Sequence, residues 1–408
     1  MKHLFRLPFA VGYRLTRWHR ARRRVAVWAM LLGASGLLAA CADLGYYAQS
    51  VGGHLQLMQS ARPVSAWLSD DATPQALRER LALAQQMRQF AVSELGLPDN
   101  ASYQRYADLQ RRAAVWNVVA APEFSLTLKT WCFPVAGCVG YRGYFDEAEA
   151  RKMAEHERAQ GLEVSVYAVP AYSTLGYLNW AGGDPLLNTF IQYPQAELAR
   201  LIFHELAHQV VYVQDDTLFN ESFATAVERL GSRRWLATQG SDRLRQAHVD
   251  FDNRRQQFRA LVSVTRAKLT AIYAKNEASG VDQQSKRAMK SEAMTEFRAA
   301  YAVLRESWGG YGAFDAWVAG ANNAAFGAQA AYDELVPAFE ALFARSHGDW
   351  RAFYDAVRQL AEMPKAQRTR QLKRLETLLD RASALSSTEC ETLWVRPLAQ
   401  RCALTPTD

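Results

Sequence analysis

The chain has 408 residues, 49% hydrophobic and 22% charged, a globular composition that excludes a disordered, collagen-like or coiled-coil polymer. A chain of this length can bury a large core with two or three packed subregions. The formal charge of +7 is misleading, because residues 1–40 hold eight Lys and Arg and no Asp or Glu, which leaves the remainder at −1. That remainder has no overall field for polyanions, so nucleic acid is not an expected partner.

The chain opens on a targeting segment. Arg22, Arg23 and Arg24 precede an apolar run beginning at Val25, followed by Gly33, Ala34, Ser35 and Gly36. Basic, apolar and small-residue regions in that order make a secretory signal. The apolar run, Val25–Leu32, is short for a membrane span. Leu38-Ala39-Ala40-Cys41 resembles a bacterial lipobox. The resemblance implies removal of 1–40 as a lipoprotein signal peptide and lipidation of Cys41, whose acyl chains would hold the protein to a membrane. It also implies a periplasm-facing place in the bacterial cell envelope. The outer membrane is favoured because Ala42, not Asp, follows the cysteine.

The remaining cysteines form two local pairs, Cys132 with Cys138 and Cys390 with Cys402. An oxidising compartment makes two disulfides the natural reading. A four-thiolate zinc site is the alternative, although the spacings lack C-x₂-C pairs.

In chain order, Thr73-Pro74 and the apolar spacing of Leu77, Leu81, Ala84 and Phe90 predict a helix ending at Gly96. A second helical run is expected over 101–114. The period then changes. Phe124–Lys129 alternates apolar and polar residues as a half-buried strand does, and 115–120, 138–144 and 163–169 are further strands. A helix over 146–160, ended by Gly161, lies between them. Gly176 and Gly182-Gly183-Asp184-Pro185 predict bends near a cleft, with Tyr172–Tyr177 as a segment that could orient a substrate backbone. Helices are expected over 195–213, 220–236, 241–275, 283–307, 329–345 and 348–386. The many charges of 241–307 alternate in sign and read as a solvated face.

The fold class is therefore mainly α with a small central β-sheet (α+β). Residues 41–408 form a single unit with a helical part 42–114, a sheet region 115–194, metal-binding helices 195–236 and a helical part 237–408.

The chemistry concentrates at His204-Glu205-Leu206-Ala207-His208. On a helix, positions i and i+4 share a face, so both imidazoles can reach one ion while Glu205 touches a water beside it. Ala196 to Gln214 holds no Pro or Gly, which supports a helix. A catalytic zinc needs three protein ligands and an open position. Glu221, in Asn220-Glu221-Ser222-Phe223-Ala224, is the third ligand if 214–219 turns a second helix back beside the first. Glu228 lies two turns beyond Glu221 and is expected to accept the free N–H of a ligand histidine, with Asn220 a further supporting residue. The alternative makes Glu228 a surface carboxylate near Arg229.

These residues resemble the gluzincin peptidases, whose second-helix motif in the aminopeptidase branch reads N-E-G-F-A. The resemblance implies a zincin-like fold, one Zn²⁺ held by His204, His208 and Glu221, and Glu205 as general base. The gap from His208 to Glu221 is shorter than in the large gluzincin aminopeptidases, so the resemblance does not imply their specificity elements. A wider match involves Tyr46–His54, Arg62-Pro63-Val64, Cys132–Cys138, Tyr172–Tyr177 and Asp184–Thr189, which resemble a family of bacterial lipoproteins called putative aminopeptidases. That family implies a peptide or protein substrate trimmed from its N-terminus. Tyrosine often stabilises the oxyanion in related enzymes, and Tyr332 and Tyr301 are the candidates. An endopeptidase acting on envelope proteins and a non-catalytic, metal-stabilised lipoprotein remain the competing readings.

Overall fold

The computed structural model describes residues 45–133, 137–176, 179–275, 280–330 and 334–375. Cys41, Tyr332, Cys390 and Cys402 lie outside the described residues. The chain divides into two compact units, Met1–Gln56 and Leu57–Asp408. Residues 45–60 are helical (α1), and in the first unit the described residues are all part of that helix. Everything below concerns the second unit, which is mainly helical with small sheets.

A short strand, β1 (Arg62–Pro63), and a helix, α2 (Val64–Ser69), lead to α3 (Gln75–Leu95). Pro74 stands at the N-cap of α3, and Gly96 ends it in the left-handed conformation with its N–H on the Ala91 carbonyl. Leu81, Ala84, Met87, Ala91 and Leu95 make its buried stripe. The expected helix over 101–114 does not form. Tyr103 and Gln110 adopt φ of 63° and 51°, and the segment carries only β2 (Arg105–Ala107). The Asp108 side chain accepts from the Gln110 N–H at 2.9 Å, and Tyr103 donates its N–H to the Asp184 carbonyl at 2.6 Å. Backbone groups that would have built a helix are spent on these turns instead.

The main sheet is built on β3 (Val115–Pro122), the longest strand of the region with β7. After it come β4 (Trp131–Phe133), β5 (Gly137–Val139), β6 (Arg142–Tyr144), α4 (Glu147–Ala159) and β7 (Leu162–Val169). β6 and β7 flank β3, both antiparallel, with Asn117 opposite Gly143 on one side and Tyr167 on the other. β4 and β5 form a separate hairpin in which Cys132 pairs with Cys138, and the two are disulfide-bonded. Phe124–Lys129 is not a strand. Lys129 donates its N–H to Ala120 of the sheet, while its ammonium lies 2.6 Å from the buried Glu157 carboxylate.

Alternation divides the sheet into two faces. Val118, Ala120 and Val164 lie on one, where α4 packs across the sheet. Asn117, Val119, Ala121 and Tyr167 lie on the other, where Val119 and Ala121 join Ala324, Tyr141 and Ala328 in a small cluster. β8 (Leu186–Leu187) then pairs with β2 in parallel.

Helices α5 (Gln195–Ala207) and α6 (Thr217–Gln239) form the centre of the unit. Leu198, Ile202 and Leu206, with Phe203, bury one side of α5 in the main core, and Phe219, Phe223 and Val227 do the same for α6. Gly231 lets the helices close up: a Cβ there would lie 2.7 Å from Leu95 and 3.0 Å from Phe203. The expected helix over 195–213 ends earlier, with His208 as the C-cap still in helical geometry.

Next, α7 (Asp242–Ala274) and α8 (Gln283–Ser307) pack together, followed by α9 (Asp315–Ala319) and α10 (Asn323–Ala330). Phe258, Phe297, Tyr301 and Phe326 give this part a core of its own. α11 (Val336–Arg345), α12 (Trp350–Ala361) and a last helix over 365–375 return to the main core.

Candidate metal centre

The turn between α5 and α6 decides whether the sequence motif becomes a site. Asn220 clamps it from inside: its Oδ1 accepts from the Val213 N–H at 2.8 Å, and its Nδ2 donates to the Val213 carbonyl at 2.7 Å. The expected supporting role of Asn220 is thus exercised on the backbone of the turn. Asp216 caps α6 by accepting from Phe219 and carries a buried ion pair with Arg368, whose Nη2 is 2.6 Å away. The Cys138 N–H donates to Asp215 in the same turn, which ties the disulfide hairpin to it.

With the turn so held, α5 and α6 run side by side and three donors meet. His204 Nε2 lies 3.2 Å from His208 Nε2 and 3.3 Å from Glu221 Oε2, and His208 Nε2 lies 3.7 Å from the same oxygen. No other group of three metal-ligating side chains converges in this way among the described residues. Zinc bonds of about 2.0–2.2 Å in tetrahedral geometry put ligand atoms about 3.3–3.6 Å apart, so the observed spacings suit three corners of such a site. The donor chemistry, two imidazole nitrogens and one carboxylate oxygen, suits zinc as well.

Electrostatics follow the same convergence. Burial works against a charged His204, but Glu221 and Glu228 outweigh it and hold its pKa well above the ordinary imidazole value. Burial also works against a charged Glu221, and His208 and His204 outweigh it, holding that carboxyl far below the usual range. A cation shared by the three donors would satisfy all of them.

Glu228 takes the place expected of it. Its Oε2 lies 3.1 Å from His204 Nδ1, and its other oxygen accepts from Arg200. Arg200 is 3% exposed and continues to Asp252 of α7 at 3.3 Å. His208 has no matching support among the described residues, where its buried Nδ1 finds no hydrogen-bond partner. Glu205 is half-buried and lines a cleft with Tyr193, Leu201, His204, Thr225 and Arg255. Its carboxylate makes no hydrogen bond or ion pair with the described residues, which leaves it available to a water or substrate.

Asp184 accepts from the Thr174 N–H at 3.0 Å and from its hydroxyl at 2.8 Å. Burial pushes the Asp184 carboxyl up to about 6, with the Glu205 charge adding to it and the Thr174 bonds opposing. Gly183 sits at φ 64°, where a Cβ would strike the Ser102 N–H, and the Ser102 hydroxyl accepts from Gln209 at 3.1 Å. The Gly-rich bend expected near a cleft therefore braces the residue immediately after His208.

The tyrosines fall differently from the sequence expectation. Tyr301 is in the core of the α7–α8 pair with its hydroxyl at 2.5 Å from Asp315, and none of the three converging donors belongs to that core. Burial raises the pKa of Tyr141 and of Tyr167, and the Glu221 charge adds to the rise in each. Neither was singled out by the sequence, because Tyr141 comes from the turn between β5 and β6 and Tyr167 from β7, both far along the chain from the helices.

Residues 45–372 match the family described as "Putative aminopeptidase". The chain belongs to that family. The match spans the main sheet, both ligand helices and all of the residues just described, and the family name points to a peptidase. No curated protein and no solved structure matches the chain. For this aminopeptidase-family chain the geometry of its own residues is therefore the main guide to mechanism.

Proposed function

We propose that this chain is a zinc-dependent aminopeptidase of the bacterial cell envelope. The observation that carries the reading is the convergence of His204, His208 and Glu221 beside Glu205, whose carboxylate is unengaged and lines an open cleft. One Zn²⁺ held there would acidify a water and polarise the scissile carbonyl. Glu205 takes the proton of the attacking water and passes it to the departing amine. Glu228 fixes the orientation of His204, backed by Arg200. The buried Asp216–Arg368 pair and the Asn220 clamp keep Glu221 in line with the two histidines. The N-terminal direction of cutting rests on the family name.

We place the protein on the membrane through Cys41, on the strength of Leu38-Ala39-Ala40-Cys41. No helix among the described residues is long and apolar enough to cross a membrane.

The test is one peptide in two versions, free and acetylated at the N-terminus, incubated with the zinc-loaded chain and read by mass spectrometry. Stepwise trimming of the free version alone is expected. A Glu205→Gln chain should lose about 10²–10⁴-fold in rate. Internal cuts in both peptides would replace the aminopeptidase with an endopeptidase, and full activity in Glu205→Gln would remove the mechanism.

A further inference from the structure

The hairpin of β4 and β5 is a two-stranded sheet of its own, three residues to a strand. A pair that short has little stability by itself. Its two ends are held by different means. Trp131 and Val139, opposite each other at one end, are buried. Cys132, Phe133, Gly137 and Cys138 make the other end, which is exposed or half-buried, and there the disulfide joins the strands.

That outer end rests on the turn between the two ligand helices. The Cys138 N–H donates to the Asp215 carboxylate, and a Cβ on Gly137 would lie 2.6 Å from Asp215 Oδ1 and 2.9 Å from the Asp215 nitrogen. Glycine, at φ 72°, is what lets β5 come so close. Asp215 itself takes φ 61°, which Asp and Asn tolerate better than most residues. Lys365 donates to the Asp215 carbonyl at 2.6 Å, so the last helix holds the same residue. His208 lies seven residues before Asp215 and Glu221 six after it. Asp216 is the N-cap of α6, so a movement of this turn is a movement of the helix end that carries Glu221.

We propose that the Cys132–Cys138 disulfide is a latch that positions the metal centre through Asp215, and that a dithiol opens it and weakens zinc binding. This rests on the metal reading above. The dithiol supplies two electrons and two protons: one thiolate attacks a sulfur of the bridge, and its partner thiol then displaces the mixed disulfide. The products are the two cysteine thiols and an oxidised dithiol. Cys132 is exposed, so a dithiol can reach the bridge. Trp131 and Val139 keep the inner end of the hairpin in place, so opening frees the turn without unfolding the chain.

The experiment measures zinc affinity of the full-length chain by competition with a chromophoric chelator, with circular dichroism as the check on folding. Cys132→Ser/Cys138→Ser should bind zinc about 10-fold more weakly than the parent. Asp215→Gly, which accepts φ 61° and removes the acceptor, should lose about as much. The two changes combined should lose no more than either alone, since both break one link. Asp215→Asn, which keeps the acceptor oxygen, should restore parental affinity. Parent chain treated with a dithiol, then freed of it before zinc is added, should match the serine variant, and the same treatment should leave that variant unchanged. Parental affinity in the serine variant would overturn the proposal, and so would additive losses or a failure of Asp215→Asn to rescue. Loss of helical circular dichroism in the serine variant and in the reduced parent would also overturn it, because the bridge would then hold the fold and not the turn. If the parent binds no zinc, the metal reading itself falls, an outcome distinct from these.

Discussion

Glu228 shows how a single carboxylate sets the chemistry of a site it does not enter. It meets His204 Nδ1 at 3.1 Å and accepts from Arg200, which is itself held by Asp252. Replacing it with Gln keeps the shape but weakens the acceptor, and Arg200 is left short of a counter-charge. Zinc affinity in Glu228→Gln should fall by about 10–100-fold, measured by competition with a chromophoric chelator. Asp184 gives a second prediction. Its folded-state pKa of about 6 lies above the ordinary carboxylate value of 3.8, so the folded chain binds the extra proton between those values. Its contribution to stability is full below about pH 4 and is lost as pH rises through about 6, on the order of 2–3 kcal/mol in all. Asp184→Asn should flatten urea-unfolding stability over that window relative to the unsubstituted chain. An unchanged pH slope would show that Asp184 titrates normally. The approach of His204 to His208 was legible because HExxH spacing is a local property of a helix. The places of Arg200 and Asp252 behind Glu228 were not, because they depend on how α5, α6 and α7 pack, which no local pattern announces.

At the scale of elements, the site depends on how closely α6 approaches α3 and α5. Gly231 faces buried Leu95 and Phe203 at distances where no Cβ fits without movement. Gly231→Val should destabilise the fold by about 1–3 kcal/mol through overpacking, read as a lowered midpoint in chemical denaturation. Stability equal to the parent would mean that the helices separate freely. Helices with a strong apolar stripe and clear end signals were legible: Pro74 and Gly96 bound α3, and Gly161 follows α4. The misread elements have identifiable physical causes. Residues 101–114 satisfy their backbone through Asp184 and local side chains, and two of them take positive φ. Residues 124–129 alternate correctly but have no ladder to join, and Lys129 is drawn to Glu157 instead. Alternation reports a half-buried extended segment, not the presence of a partner strand.

At the scale of the whole molecule, one core carries the ligand helices and a second serves the α7–α8 pair. The charges of that pair are largely solvated, as their alternation predicted, with pairs such as Lys268–Glu296 between the two helices. Asp252 and Arg255 are exceptions, since they reach Arg200 and Glu197 beside the metal cleft. Mainly helical architecture around a small sheet was legible from periodicity, and the split of the core was not, because it depends on which apolar faces meet. The central claim concerns the whole folded chain: it binds one zinc ion with His204, His208 and Glu221. Native mass spectrometry of the zinc-treated protein tests it most directly. One zinc per chain is expected in the unsubstituted protein and in Glu205→Gln, and none in His204→Ala or Glu221→Ala. Zinc retained by both ligand variants, or absent from the unsubstituted chain, would contradict the account.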